Sequence, residues 1–345
     1  MPAIKADRII DYHTYPPVGE DDWRYVFQTA QVRTLEMHLL SRAMLLDMVN
    51  ADGFESAAAA LSSTEYVVAA AGGLAAVEDV LSARRTAVRE LFAELMLDER
   101  VTDLFRSRAD YANARLAVRR LVTDQAPGEG YSDEGNVPAE TLRQVFAEQS
   151  FSLLPGYLSE AVDEGVLGYY QGKDIRQIDY AIDRAQNDYY LERAHELGSV
   201  FLAGLFRVQA DLLNIRTMLR LKLTESHVRA RDVLVDGGFI EVERFERGLE
   251  GGFEGLGSLF GATPYQRAVE AGAAYAASEK SFLKAEQECD AYLMGFLKST
   301  SMITAGPQPI IAYLLMKEHE IRTVRLILTA KKSGLDTRLI LDRVA

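Results

Sequence analysis

A short arginine motif recurs along this chain of 345 residues, and it constrains the fold more than any other feature of the sequence. Its copies are Gln31-Val32-Arg33-Thr34-Leu35, Asn214-Ile215-Arg216-Thr217-Met218 and Glu320-Ile321-Arg322-Thr323-Val324, with a looser copy in Asn113-Ala114-Arg115-Leu116. These copies lie farther apart than the about 20–50 residues of common solenoid repeats. The motif therefore predicts a unit of several helices that is copied along the chain.

A tyrosine recurs between the arginine motifs. It stands in Thr64-Glu65-Tyr66-Val67, in Pro155-Gly156-Tyr157-Leu158 and in Thr263-Pro264-Tyr265-Gln266. The order of arginine helix, turn with tyrosine and further helix is thus the same in three intervals. We predict that Tyr66, Tyr157 and Tyr265 occupy equivalent places in three similar units.

The periodic segments of the chain have helical spacing. One apolar stripe predicts a helix through the copy of the arginine motif at residues 214–218. The members of this stripe are Val208, Leu212, Ile215, Leu219 and Leu223. Alternating apolar and polar runs, which are typical of strands, are hardly found. The sequence therefore predicts an all-α fold, interrupted by a polar flexible loop over residues 124–138.

The C-terminal part carries clear signals for helix ends. A long helix is predicted to begin at Gly306-Pro307-Gln308-Pro309, since proline suits the first helical turn. Lys331-Lys332 and then Gly334 predict its end, because cations favour the helix C-terminus and glycine adopts the left-handed cap. Asp336 or Thr337 can then cap a last short helix.

Composition and charge argue against several classes of partner. The formal net charge is −13, and such an acidic surface repels nucleic-acid phosphates and anionic lipids. Residues 1–22 contain no apolar stretch and are expected to be a flexible segment without a secretion signal. The longest apolar run, residues 66–77, is shorter than the about 20 residues that cross a bilayer. The single cysteine, Cys289, is expected to be buried and inert in a reducing compartment.

Motifs for catalysis and cofactor binding are not evident. The only Gly-Lys pair, Gly172-Lys173, lacks the surrounding residues of a phosphate-binding loop. The glycine-rich residues 248–264 show no dinucleotide fingerprint and are interpreted as a flexible turn region. Glu192 and His195 have the spacing of one di-iron ligand pair, but such a site needs a second pair and two further glutamates. We therefore predict no catalytic residue, no cofactor and no metal site.

Three segments resemble the C subunit (called d in eukaryotes) of vacuolar/archaeal-type rotary ATPases. Residues 306–322 are similar to the C-terminal signature of that family, which has a Gly-x-x-Pro entry, a Tyr-Leu pair and Lys-Glu-x-Glu-Ile-Arg. Residues 211–216 look like its internal Asp-x-x-Asn-Ile-Arg helix. Residues 27–41 look like its opening helix, although Thr29-Ala30-Gln31-Val32-Arg33 departs from the usual form. The resemblance rests on these side chains: Asp211, Asn214, Tyr313, Lys317, Glu318 and Glu320.

The resemblance implies three similar multi-helix units in a pseudo-three-fold, funnel-shaped arrangement. The units would span residues 23–122, 123–224 and 225–345, share their arginine helices at the boundaries, and carry residues 124–138 and 248–264 as local insertions. The funnel would take the lower end of the central shaft and rest on the membrane rotor ring. A protein of this kind is a non-catalytic part that couples shaft and ring, present in one copy at the cytoplasmic face of the membrane.

Two alternatives stay open at the level of sequence. The repeated arginines could meet acidic groups of a partner, or they could pair with carboxylates within their own unit, which their repetition favours. Glu318, one helical turn before Arg322, is one candidate for such a pair. A helical scaffold unrelated to rotary ATPases would share the repeat but not the C-terminal signature. An α-helical enzyme is disfavoured by the missing phosphate and metal motifs.

Overall fold

The computed structural model describes residues 15–67, 73–126, 128–224 and 229–344, and every regular element in these ranges is helical. The all-α prediction is thereby confirmed. The helices before residue 200 are α1 Val26–Glu36, α2 Arg42–Asn50, α3 Phe54–Ala59, α4 Gly73–Leu95, α5 Glu99–Val122, α6 Ala139–Glu148, α7 Gly156–Gly172 and α8 Arg176–Glu196. The later helices are α9 Val200–Leu223, α10 Ala230–Val233, α11 Val242–Leu249, α12 Leu256–Leu259, α13 Gln266–Glu279, α14 Leu283–Lys298, α15 Pro307–Lys332 and α16 Thr337–Val344. Short 3-10 helices cover Trp23–Tyr25, Phe151–Leu153 and Ser299–Met302.

The described chain divides into two compact units. The middle unit comprises residues 98–251. The terminal unit comprises residues 15–97 together with residues 252–344, so both ends of the chain contribute to it. The arrangement of three similar units predicted from the repeats stays a prediction.

The middle unit is built around α5, which packs against α6, α7 and α8. Asp98 caps the start of α5, because its side chain accepts the backbone N–H of Arg100 and so satisfies one of the free amides of the first turn. Apolar side chains from all four helices fill the core, among them Val118, Leu142, Leu158, Ile178 and Ile182, each with no exposed surface. The apolar stripe predicted for α9 is buried at Val208, Leu212, Ile215 and Leu219.

The terminal unit joins the first helices of the chain to the last. Helix α15 packs along α4 and also contacts α2 and α3. The fully buried members of their shared core are Met48, Val49, Ala57, Leu61, Tyr66, Val77, Leu81, Val324, Ile327 and Leu328. The predicted helix ends are confirmed, since Pro307 lies in the first turn of α15 and Gly334 has a φ of 67°. Asp336 accepts the N–H of Arg338 at 2.7 Å at the start of α16.

Part of the predicted N-terminal segment 1–22 lies against the loop that precedes α15. The Asp21 carboxylate accepts the N–H groups of Thr304 and Ala305, at 2.8 and 3.2 Å. The Gln308 side chain donates to the carbonyls of Val18 and Glu20. Residues 18–22 are therefore held against this loop and the start of α15, whereas residues 1–14 lie outside the described residues.

The glycine-rich segment 248–264 is more ordered than its composition suggests. It contains helix α12, and Leu256 and Phe260 are 2% and 0% exposed. The interpretation as a flexible turn region is wrong for residues 256–260, because these two apolar side chains, one helical turn apart, are buried. Cys289 is buried, as expected. Within the described ranges, no helix is both long enough and apolar enough to cross a membrane.

Candidate functional site

Asp110 and Asn113 lie one turn apart on α5 and bind the loop that follows this helix. The Asp110 carboxylate accepts the N–H groups of Asn136 and Val137, at 3.1 and 3.0 Å. The Asn113 amide both donates to the carbonyl of Ser132 and accepts its N–H, each at 2.8 Å. Because buried backbone groups need partners, these four bonds determine the path of the loop. We call this arrangement the first loop clasp.

Helix α9 carries an equivalent arrangement, the second loop clasp. The Asp211 carboxylate accepts the N–H groups of Phe239 and Ile240, at 3.0 and 3.1 Å. The Asn214 amide donates to the carbonyl of Val235 and accepts its N–H, at 2.8 and 2.9 Å. The order of the bonded loop residues is the same in both clasps. Asp211 and Asn214, which carry part of the family resemblance, thus bind the protein's own backbone.

Each clasped loop contains a glycine at a position where the aspartate side chain leaves no room for a Cβ atom. A Cβ atom on Gly135 would overlap Oδ1 of Asp110, and one on Gly238 would overlap Oδ1 of Asp211. Residues 132–137, which lie in the segment 124–138 expected to be flexible, are therefore bonded to α5 in the same way as the later loop is bonded to α9; that this segment is a local insertion stays a prediction. The triplets Asp133-Glu134-Gly135 and Asp236-Gly237-Gly238 were the available sequence signal.

We predict that Gly135→Ala and Gly238→Ala each lower the free energy of unfolding by about 1–3 kcal/mol, because the added methyl group displaces the clasping carboxylate. Urea unfolding followed by circular dichroism measures the effect. Gly156→Ala is the matched control in the same unit, since nothing lies within 4 Å of its Cβ position. Equal stability of all three variants would show that the loops move aside without cost.

On α15, Lys317 and Glu320 stand at the positions relative to Arg322 that Asp211 and Asn214 hold relative to Arg216. The Glu320 carboxylate accepts bonds from the N–H of Leu40, from the ammonium of Lys317 and, at 2.6 Å, from the hydroxyl of Tyr66. The ammonium of Lys317 also pairs with Glu65. We call Lys317, Glu320, Glu65 and Tyr66 the buried ionic cluster.

Three of the four members of the buried ionic cluster are shielded from water, whereas the side chain of Glu65 is 35% exposed. The side chains of Lys317 and Glu320 are 4% and 6% exposed. Burial, followed by the charge of Glu320 and its hydrogen bond, raises the pKa of the Tyr66 hydroxyl well above its usual range. Burial and the carboxylates of Glu65 and Glu320 raise the pKa of Tyr313 to about 12. Both tyrosines therefore stay protonated at neutral pH, and Tyr66 remains a hydrogen-bond donor.

Two of the three repeated tyrosines, Tyr66 and Tyr265, follow turns that are bonded in the same way. In the turn before Tyr66, the Thr64 hydroxyl donates to the carbonyl of Leu61 and accepts the N–H of Tyr66. In the turn before Tyr265, the same two bonds are made by Thr263, which donates to the carbonyl of Phe260. The side chains of Tyr66 and Tyr265 are fully buried.

Tyr157 shares a different feature with Tyr66. Its hydroxyl donates to the Asp110 carboxylate on α5 at 2.7 Å, as that of Tyr66 donates to Glu320 on α15. Tyr66 and Tyr157 thus each bind a carboxylate on a helix that carries a copy of the arginine motif. The Tyr66 bond joins residues that the sequence-based division places in units 23–122 and 225–345. Equivalence of all three tyrosine positions stays a prediction.

The repeated arginines have partners within the protein. The guanidinium of Arg33 pairs with Glu36 at 2.8 Å and donates to the carbonyls of Thr300 and Ile303, at 2.7 and 3.1 Å. These contacts fit the structural alternative. Arg216 and Arg322 also interact with other groups of the protein.

Three further ion pairs each connect two helices of the same unit. Arg115 on α5 pairs with Asp179 and Asp183 on α8. Burial raises the pKa of Asp183 despite the opposing effect of Arg115. Glu318, one turn before Arg322, pairs with Arg89 on α4, at 2.8 Å, and its predicted pairing with Arg322 stays a prediction. Helical spacing does not show this second pair, which forms because α4 packs directly against α15.

The polar side chains described above bind the protein's own groups. Glu192 and His195 lie on α8, where the neighbouring Arg193 pairs with Glu196. Among the described residues, no group of three or more His, Cys, Asp or Glu side chains is placed to hold a metal ion. The chemistry that the two clasps and the buried ionic cluster support is fixation of backbone and helices.

Known proteins match nearly the whole chain. A family model described as ATP synthase (C/AC39) subunit matches residues 28–343, a range that contains both loop clasps and the buried ionic cluster. The C subunit of the V-type sodium ATPase of Enterococcus hirae is 23% identical over 316 residues, which cover 91% of this chain and 95% of that protein. The C subunit of the A-type ATP synthase of Methanocaldococcus jannaschii is 22% identical over 339 residues, which cover 90% of this chain and 84% of that protein.

Proposed function

This chain belongs to the ATP synthase (C/AC39) subunit family, and from that membership we propose that it couples the central shaft of a V/A-type rotary ATPase or ATP synthase to the membrane rotor ring. In this role it is a non-catalytic subunit, present in one copy and bound peripherally at the cytoplasmic face of the membrane through the complex. The observation that carries the proposal is the family match over residues 28–343, supported by two relatives that are named as C subunits of a V-type sodium ATPase and an A-type ATP synthase.

The internal use of the polar residues supports a mechanical role. Asp110, Asp211 and Glu320 all bind the chain's own backbone N–H groups. A coupling part has to transmit torque, since moving one ion against the membrane potential requires about 2.3 kcal/mol per 100 mV. Side chains that fix loops and helices reduce the compliance of such a part. Its contacts to shaft and ring are expected to be broad, at or above the about 1,600 Å² of a standard interface.

Removal of this chain is expected to separate ATP hydrolysis from ion transport. Sealed vesicles that carry the complex without the chain should lose ATP-driven ion uptake, while the catalytic head keeps its ATPase activity. Adding the purified chain should restore uptake. The measurements are ATP hydrolysis and ion uptake on the same preparation, with copurification of shaft and ring proteins as a third readout.

A variant control separates loss of the chain from loss of one surface charge. Arg338→Ala removes a side chain that is 71% exposed and should restore uptake as well as the original chain does. Normal uptake without the chain would contradict the coupling role. Loss of hydrolysis by the head alone would contradict the non-catalytic role.

A further inference from the structure

Helix α1, together with the 3-10 turn that leads into it, has apolar side chains on two opposite faces. One face is covered within the terminal unit, where Tyr25, Thr29 and Val32 are at most 2% exposed. The opposite face is open to solvent, and Trp23, Phe27 and Met37 on it are 66%, 74% and 83% exposed. We call this face the N-terminal stripe, and its members are Trp23, Phe27, Ala30, Thr34 and Met37.

The spacing of the N-terminal stripe is that of a coiled-coil seam. Its five positions are separated by four, three, four and three residues, the alternation with which one helix packs its side chains between those of another. Apolar residues scattered singly over a surface are ordinary. A helix that is apolar on opposite faces is instead typical of a helix buried on both. The exposed seam therefore fits a second helix.

The N-terminal stripe is held rigidly before any partner binds. The Thr29 hydroxyl exchanges hydrogen bonds with Gly306, accepting its N–H at 3.0 Å and donating to its carbonyl at 3.2 Å. Arg33 binds the carbonyls of Thr300 and Ile303, and the intervening Met302 is 83% exposed. A surface fixed in this way loses little conformational entropy on binding, which favours affinity.

The charges beside the seam indicate the chemistry of the second helix. The positions that flank a seam of this register are Arg24, Val26, Gln31, Arg33 and His38, and none of them is a carboxylate. The Arg24 side chain is 78% exposed while it pairs with Asp22. Asp22 and Glu36, which pair with Arg24 and Arg33, lie outside these flanking positions, so the border of the seam itself carries no carboxylate. Acidic residues beside the seam of the partner helix complement it.

We propose that the N-terminal stripe binds one α-helix of another subunit of the rotary complex, with its own apolar seam and Asp or Glu residues beside that seam. The identity of the complex rests on the function proposed above, whereas the helical and acidic character of the partner follows from the stripe itself.

Photocrosslinking from the seam tests the occupant directly. In cells, p-benzoylphenylalanine at position 34 of the full chain should crosslink to a segment of another protein that has apolar residues at alternating spacings of four and three with flanking carboxylates. The same probe at Glu164, an exposed position of the middle unit, should not reach that segment. Crosslinks only to residues 1–14 of this chain, only to a second copy, or to no protein would overturn the proposal. A crosslink to such a helix in a protein outside the ATPase would keep the proposal and contradict the proposed function.

Introducing a negative charge into the seam gives a quantitative test. Phe27→Glu should reduce the amount of ATPase subunits retained by the tagged chain at least ten-fold while leaving the midpoint of thermal unfolding nearly unchanged, because Phe27 is exposed. Leu167→Glu, at a residue that is 58% exposed in the middle unit, is the matched control and should retain the subunits. Equal retention by both variants would overturn the proposal alone. Failure of the original chain to retain ATPase subunits would contradict the proposed function, and the crosslinks would then decide about the stripe.

Discussion

Replacing Glu320 by alanine is expected to lower the free energy of unfolding by about 3–5 kcal/mol, the range for removing one partner of a buried ion pair. The substitution removes the acceptor shared by the Leu40 N–H, the Tyr66 hydroxyl and the Lys317 ammonium. Lys317 is 4% exposed, so its charge keeps Glu65 as a partner but gains little from water. The measurement is urea unfolding of the full chain followed by circular dichroism.

A surface pair that also involves α15 is the matched control for this prediction. Glu78 pairs with Arg325 at 2.8 Å, but these side chains are 51% and 31% exposed. Glu78→Ala should therefore cost less than about 1 kcal/mol. Glu320→Gln, which keeps the size and one acceptor oxygen, should fall between the two alanine variants. If Glu320→Ala and Glu78→Ala unfold alike, the buried ionic cluster does not hold the terminal unit together.

Asp211→Ala is expected to lower the free energy of unfolding by about 2–4 kcal/mol. It leaves the N–H groups of Phe239 and Ile240 without their carboxylate acceptor, and each unsatisfied buried group costs about 1–3 kcal/mol. The loss should be local as well as global. In hydrogen exchange, the amides of these two residues should become less protected than the rest of the middle unit.

The first loop clasp supplies the internal control for the second. In Asp211→Ala, the amides of Asn136 and Val137, which bind Asp110, should keep their protection. In Asp110→Ala the pattern should reverse, with an added effect on Tyr157, whose hydroxyl also donates to Asp110. A uniform loss of protection in both variants would argue that the aspartates support the unit in general and do not fix individual loops.

The sequence predicted the features that depend on near neighbours along the chain. Helix α15 follows the signals of Pro307 and Gly334 closely, because the geometry of proline and the left-handed glycine act within one turn. The buried stripe of α9 follows from the helical repeat of its apolar residues in the same local way.

Features that depend on distant residues were not predicted. The sequence shows Asp110 and Asp211 at matching positions before Arg115 and Arg216, but it does not show that each carboxylate accepts amides of a later loop. Helical spacing suggested Arg322 as a partner of Glu318, but it did not show that the packing of α4 brings Arg89 to this carboxylate. Both kinds of contact depend on tertiary packing, which brings together residues that are far apart in the sequence.

The terminal unit is built from two segments that lie far apart in the sequence, and this has a consequence for folding during synthesis. Helices α2, α3 and α4 leave the ribosome well before α15, which covers their apolar faces. At about 5–20 residues per second, the interval is on the order of ten to fifty seconds. The middle unit is continuous in sequence and is complete well before then. The nascent chain therefore carries one finished unit and one incomplete core that stays open until α15 has been made, and we expect chaperones to bind the residues before α5 during this time.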